Sequence, residues 1–503
     1  MSKRLIMILT LAFVVGIAFA AYAEVQNVKV SGDILLQGLT RTNLILRSNN
    51  QAPGSATTGT PFNEYDHRIT GLLSHIRVRI DADLTDDVSA VVRLINERLW
   101  GDEYRTDASG TAIGKAHTTD VQLDLAYVTL KDVLKVIAQT DIPLTLTLGR
   151  QELHFGNDFI IGEVNTNLVA SGHGASPTVY GQYLPRSLDD LSLRKSFDAI
   201  RGTFNFDPLV LDLVYSKISE NRIDINDDVD LFGMNANYAL DKNTTIEGYF
   251  WERRRAKAGV GAVGPETQES HTDTTRTIGA RAQYSGVKNL IVGLEGAYQF
   301  GKRVNANATL YPDDVLNDGG YRRRKAYAIQ LTSQYNLSDL ITTMEPMAGF
   351  NYTLLSGDPY RSRNKIFRGW DPMYENQTGG TLFNKILGYS NAQLFNGKFS
   401  IKPMEDLKLV VDYYYLRLMK AYRDDGPIQP TGVVLTGVVG DPTYHMVPGK
   451  KSLGNEIDAA LIYDYTEDVQ FGLAMGWFIP GGAFHEENDK TASQVIGSMK
   501  VTF

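Results

Sequence analysis

Phe197-Asp198-Ala199-Ile200-Arg201-Gly202-Thr203-Phe204-Asn205-Phe206 is the most telling stretch of this chain. Ala199, Arg201, Thr203 and Asn205 share one parity, and Ile200, Gly202, Phe204 and Phe206 share the other. That is the period-two signature of a strand with one polar and one apolar face. The pattern recurs: His75, Arg77, Arg79, Asp81 and Asp83 alternate with Ile76, Val78, Ile80 and Ala82. Asn396, Lys398, Ser400 and Lys402 oppose Phe395, Phe399 and Ile401. Glu456, Asp458, Ala460 and Asp464 oppose Ile457, Ala459, Leu461, Tyr463 and Tyr465. Eighteen such segments are expected, near 28–40, 69–84, 88–99, 121–131, 143–151, 197–206, 208–218, 229–240, 243–254, 273–285, 288–300, 325–337, 343–355, 390–402, 407–419, 454–465, 468–478 and 492–503. Most have close to the roughly 9–11 residues that carry a tilted strand across a bilayer.

The connections alternate between short and long. The short ones are Thr85-Asp86-Asp87, Asp207-Pro208, Asp241-Lys242, Gly286-Val287, Ser338–Thr342, Pro403–Asp406 and Thr466-Glu467, with Asp132–Ile142 a longer member of the set. The long ones cover about 41–68, 100–120, 152–196, 219–228, 255–272, 301–324, 356–389, 420–453 and 479–491. This rhythm is that of an all-β, antiparallel, up-and-down transmembrane barrel with tight periplasmic turns and long extracellular loops. An even strand number places both termini in the periplasm. The polar parity decides between a membrane barrel and a soluble sheet. Arg, Asp, Glu and Asn in mid-strand would need costly pairing inside a filled core, whereas a water-filled lumen hydrates them. The apolar parity suits contact with lipid.

The 503 residues include 46 Gly, 17 Pro, 26 Tyr, 20 Phe and no Cys, with 21% charged and 43% hydrophobic. A mean hydropathy of −0.21 excludes a bundle of transmembrane helices, and 10% aromatics exclude a disordered chain. Zero Cys excludes disulfides, thiolate zinc sites, Fe–S clusters and Cys nucleophiles. Met-Ser-Lys-Arg, an apolar run from Leu5 to Ala20 and Ala21-Tyr22-Ala23 read as a signal peptide over 1–23, cleaved before Glu24, which leaves a single barrel domain over 24–503. Loss of Lys3 and Arg4 takes the net charge from −8 to −10, a balance that argues against nucleic-acid binding. Val495, Gly497, Met499, Val501 and the terminal Phe503 form an alternating series like the C-terminal strand signal read by the barrel-assembly machinery.

Motifs for chemistry are sparse. Gly259–Gly264 matches G-x-G-x-x-G but lies between Arg253-Arg254-Arg255 and Pro265 in a long loop, without the strand and helix that a dinucleotide site needs. His485-Glu486-Glu487 lacks a second His, and the eight His are scattered. Loop carboxylates such as Asp313, Asp314, Asp424 and Asp425 read as solvated charge. No metal, cofactor or catalytic group is expected, and no enzyme activity. Two basic clusters stand where strand meets outer loop: Arg253-Arg254-Arg255 with Lys257, and Arg322-Arg323-Arg324-Lys325. They fit either contact with lipopolysaccharide phosphates or an electropositive mouth.

Alternation assigns Arg77, Arg79, Arg93, Arg201, Arg281, Lys398, Lys408 and Lys500 to the lumen. The acidic set there is Asp81, Asp83, Glu97, Asp124, Asp212, Glu247, Glu295, Asp412, Glu456 and Asp458. The signs are nearly balanced, so the wall reads as a ladder of cross-strand ion pairs and as a charge-lined filter. The 152–196 loop is the longest and is expected to fold partly inward and narrow the channel.

Leu146-Thr147-Leu148-Gly149-Arg150-Gln151-Glu152-Leu153, Gly156-Asn157 and Ser196-Phe197-Asp198-Ala199-Ile200-Arg201 resemble the alginate-export family of outer-membrane porins, most firmly over about 70–220. The resemblance implies an eighteen-stranded barrel and an arginine-lined conduit, with Arg150 and Arg201 the best-matching positions and Arg77, Arg79 and Arg93 alongside. The balanced lumen departs from that pattern. The expectation is passive passage of small hydrophilic solutes, anionic or acidic-sugar ones among them, across the bacterial outer membrane. The alternative is a structural sheath around a periplasm-to-surface redox or secretion assembly. Expected partners are outer-membrane lipid, lipopolysaccharide and the assembly machinery. A periplasmic partner or a homo-oligomer stays open.

Overall fold

The computed structural model describes residues 27–47, 68–101, 104–106, 112–115, 120–164, 188–220, 228–258, 271–304, 321–358, 365–377, 379–422, 427–428 and 444–503. The expected signal peptide, Gly259–Gly264, the middle of the 152–196 loop and Asp313, Asp314, Asp424 and Asp425 lie outside the described residues.

Among the described residues, eighteen strands form the wall: β1 (Asn27–Thr42), β2 (Arg68–Thr85), β3 (Val88–Leu99), β4 (Gln122–Leu130), β5 (Leu144–Gln151), β6 (Phe197–Asn205), β7 (Leu209–Ser219), β8 (Val229–Asp241), β9 (Thr244–Ala258), β10 (His271–Val287), β11 (Leu290–Val304), β12 (Tyr321–Asn336), β13 (Met347–Leu355), β14 (Ala392–Met404), β15 (Leu407–Leu418), β16 (Ser452–Asp464), β17 (Val469–Pro480) and β18 (Ala492–Thr502). Every expected strand is present, with bounds within four residues of the sequence reading. Each pairs antiparallel with its neighbours in sequence, and β1 closes on β18 from Asp33↔Thr502 to Thr42↔Ser493. A two-residue strand, Ile366–Phe367, adds in parallel beside β12. Closure removes every free sheet edge from the lipid, as a membrane wall requires.

The seam ends at the last residue. Gly32 N donates to the Phe503 carbonyl at 2.8 Å, and Phe503 N donates to Gly32 O at 2.9 Å. A Cβ at Gly32 would lie 2.6 Å from both the Arg77 carbonyl and the Phe503 ring. The absent side chain therefore lets the terminal ring cross the seam.

The two faces differ as the alternation predicts. Ile76, Ile80, Val92, Ile246, Ile278, Leu294, Ile329 and Val411 stand exposed on the outside. Tyr215, Phe232, Tyr298, Tyr327, Tyr415 and Trp477 band the loop end, and Tyr238, Tyr284, Tyr335, Tyr465 and Phe503 band the turn end. Paired aromatic girdles flanking an aliphatic zone are the mark of a barrel in a bilayer. No described helix is long and apolar enough to cross a membrane. The longest turn holds a short helix, α1 (Val133–Ala138).

The packed core lies inside the barrel at its loop end. Phe197, Leu231, Trp251, Ala326, Leu355, Leu416 and Phe478 point inward there and are buried under residues of the long loops, including Phe159, Trp370, Tyr374 and Phe383.

Candidate functional site

The lumen wall is a set of cross-strand pairs. Register places Glu247 beside Arg281, Arg281 beside Glu295, Glu295 beside Gln330 and Gln330 beside Thr353, across five consecutive strands. Arg281 lies 3.5 Å from Glu247, and Tyr249 Oη donates to Glu295 at 2.7 Å. On the first strands Arg77 meets Asp33 at 2.9 Å, Arg79 meets Asp81 at 2.7 Å, Arg93 meets Asp124 at 2.6 Å and also Glu152, and Arg201 meets Asp212 at 2.8 Å. Opposite charges thus sit side by side on one face, the sheet analogue of a helix ion pair.

Within most of these pairs the cation is the member presented to the lumen. The Arg201 side chain is 29% exposed against 5% for Asp212, Arg281 15% against 2% for Glu247, and Lys398 52% against 16% for Asp412. Carboxylates are short and stay against the wall, whereas Arg and Lys carry their charge on long stems. Arg79 and Asp81 are about equally open, and Arg93 runs the other way, its side chain 10% exposed against 31% for Glu152.

Two long loops fill the loop end of the lumen. The described ends of the β5–β6 loop fold inward, as expected. The β13–β14 loop also folds inward, which the sequence reading did not foresee. They meet through an Ile161↔Tyr374 bridge. Tyr374 N donates to Ile160 O at 3.0 Å, Gly162 N to Tyr374 O at 2.7 Å and Asn376 N to Asp158 O at 2.9 Å. Phe159 stacks on Trp370 at 6.0 Å, and Phe197 meets Tyr374 edge-on at 5.7 Å.

Charged wall residues fasten both loops. Asp371 takes both terminal nitrogens of Arg253, at 2.9 and 2.6 Å, and lies 3.3 Å from Arg324. Burial opposes its charge, but the two guanidinium groups hold the carboxyl well below the usual range. Glu456 accepts from the backbone of Leu382 and Phe383 at 2.7 and 2.8 Å, and Asp458 accepts from Thr381 Oγ1 at 2.8 Å. Glu97 accepts from Leu193 N at 2.6 Å and Arg194 Nε at 3.0 Å. Gly156, at φ +62, packs so close to Glu247 that a Cβ would stand 2.9 Å from its Oε2.

Of the residues expected to line the pore, Arg77, Arg79, Arg93, Arg201, Arg281, Glu247 and Glu295 lie on the inward parity, and Asp124 meets Arg93 from a register shift in β4. Glu97, Glu456 and Asp458 share that parity but hold loops instead of facing open water. Arg150 is a correction. Register sets Thr147 opposite the inward Arg201, so Arg150, an odd step away, sits opposite Asp198 on the parity of the exposed Ile200. It pairs with Asp198 at 3.1 Å at the outer rim of the lipid face. The basic clusters split the same way. Arg253, Arg322 and Arg324 turn inward onto Asp371 and Asp358, while Arg254, Arg323 and Lys325 turn outward. The missed residues are Asp371 and its neighbours. The density of Trp370-Asp371-Pro372-Met373-Tyr374, unusual for a solvated loop, was the available signal.

A comparison with curated proteins by sequence finds no significant match. Among solved structures, the chain is similar to OccK2 (OpdF) of Pseudomonas aeruginosa, at 9% identity and a TM-score of 0.50, over 95% of this chain and 99% of that one. OccAB2 of Acinetobacter baumannii follows at 10% identity and a TM-score of 0.49, over 96% and 99%. The profile described as alginate export matches residues 63–498, from just before β2 to within β18. The match takes in nearly the whole wall and both inward loops, and the chain belongs to the alginate export family.

Proposed function

We propose that the chain is a passive outer-membrane channel for small hydrophilic solutes that favours anions, acidic sugars among them, with both termini periplasmic. One observation carries the preference. In the Arg201–Asp212, Arg281–Glu247 and Lys398–Asp412 pairs the side chain of the cation is more exposed than that of its carboxylate. A passing solute meets the exposed ends of the pairs, and the low-dielectric wall around them focuses their field. Selection then works through size, hydration and charge, without covalent chemistry.

Replacing Arg77, Arg79 and Arg201 together by Ala tests this reading in planar bilayers under a salt gradient. The anion-to-cation permeability ratio is expected to fall by roughly two- to fivefold, while Arg150→Ala, on the outer face, leaves it unchanged. A reversal potential unmoved by the triple substitution removes the anion preference.

A further inference from the structure

The outward halves of the two basic clusters form a surface that solute passage does not use. Register aligns Arg254, Thr274, Lys302 and Arg323 in one row across β9–β12. Two residues nearer the turns, Glu252, Arg276, Phe300 and Lys325 form a second row. Arg254, Lys302, Arg323 and Lys325 are exposed on the outer face. The patch has five cations and one carboxylate, Glu252, which Arg276 occupies at 2.9 Å. Among the described residues, neither Arg254, Arg323 nor Lys325 has a carboxylate partner.

The neighbouring sector of the same rim is different. On β5–β8 each outward cation is matched or outnumbered by carboxylates: Arg150 pairs with Asp198 at 3.1 Å, Lys217 pairs with Asp228 at 2.7 Å and Asp230 at 3.3 Å, and Asp230 borders the patch opposite Arg254. Of these two adjoining sectors, excess positive charge on the lipid side belongs to β9–β12. Immediately below it stand Tyr298, Tyr327, Ile278 and Ile329, all exposed, which is the boundary between headgroups and acyl chains.

We infer that the β9–β12 rim binds a phosphorylated glycolipid of the outer leaflet, with Arg254, Arg323 and Lys325 on its phosphates and the aromatic and aliphatic side chains below against its acyl chains. Four adjacent strands span about 14 Å, enough for a disaccharide headgroup with a phosphate at each end. Guanidinium and ammonium groups together give both forked and point-charge contacts to phosphate oxygens. The long loops of an outer-membrane barrel face outward, so this end of the wall meets the leaflet that holds such lipids. A row of cations at headgroup depth would be stranded in hydrocarbon at mid-membrane. At the rim it has a partner of opposite charge.

The test uses the full chain, purified and delipidated in detergent, with bis-phosphorylated lipid A as the probe and bound lipid read by native mass spectrometry. The wild-type protein is expected to retain lipid A. The triple variant R254Q/R323Q/K325Q is expected to bind on the order of 100-fold more weakly. Arg150→Gln, on the neutralised sector, binds as the wild type does. A heat-shifted band in gel electrophoresis shows that each variant has kept its barrel. Dephosphorylated lipid A should bind poorly, phosphatidylglycerol should compete weakly, and millimolar inorganic phosphate should leave lipid A in place. Equal binding by the triple variant and the wild type overturns the assignment. So does equal binding of dephosphorylated lipid A, displacement by free phosphate, or phosphatidylglycerol binding as tightly as lipid A.

Discussion

The two ends of this lumen are built on opposite principles. At the loop end the inward face is a protein core, with Trp251, Phe197, Leu231 and Phe478 buried beneath Phe159, Trp370, Tyr374 and Phe383. Its ions, Arg253, Arg324, Asp371 and Glu456, are fully engaged in fastening two loops. Toward the turns the same parity carries Arg77, Arg79, Arg201 and Lys398, each paired yet partly open to the channel. One alternating pattern thus serves as core where loops cover it and as wetted wall where they do not. A substitution at the loop end should change gating and stability, and one toward the turns should change selectivity.

The largest contrast is expected from Asp371→Ala. It leaves Arg253 buried without the carboxylate that takes both its terminal nitrogens and leaves Arg324 with Asp273 alone, and breaking a buried pair costs about 3–5 kcal/mol. The β13–β14 loop should release from the wall, and single-channel conductance should rise while the barrel keeps its heat-shifted band. Unchanged conductance would mean that the loop does not obstruct the path.

A second test is pH. Burial pushes the Glu375 carboxyl up to about 8, with Glu163 and Asp158 adding to the rise and Lys195 and the Gln377 amide opposing it. Its folded-state affinity for the proton exceeds the unfolded one, so its contribution is complete below the ordinary carboxylate range and is lost as pH rises through 8. The two-loop interlock should therefore loosen as pH rises from the ordinary carboxylate range to about 8, seen as a rise in conductance noise. Glu375→Gln should flatten that dependence. Equal pH profiles for the two proteins would show that another group governs it.

The smallest stability effect belongs toward the turns. Arg79→Ala breaks a partly exposed pair with Asp81 and should cost about 1 kcal/mol or less, with little change in the melting temperature in detergent. A large loss of stability there would erase the distinction between the two ends.

Much of this was legible because period two is local. The strands, the turns and the closing seam at Phe503 follow from residues near one another in sequence, and each lies within a few residues of its expected place. The outward placement of Arg150 was legible too, had its parity been counted against Leu146 and Leu148 of the same strand, since a strand exposes alternate residues to opposite faces unless a bulge intervenes. The inward loops were not. Asp371 meets Arg253 across 118 positions and Asn157 meets Gln330 across 173, and alternation carries no information about contacts between loops. Glu456 and Asp458 show the consequence: their parity was right, but Thr381, Leu382 and Phe383 cover them.

The absence of Cys makes the central claim directly measurable. Lys398 points into the channel, and Phe399, its neighbour on β14, points outward and is 43% exposed. Single-cysteine variants Lys398→Cys and Phe399→Cys, reconstituted in lipid vesicles, would be treated with a charged, membrane-impermeant maleimide. The account predicts rapid labelling at 398 and almost none at 399. Comparable labelling at both positions, or the reverse order, would contradict a wall that is wet on one face and lipid-bound on the other.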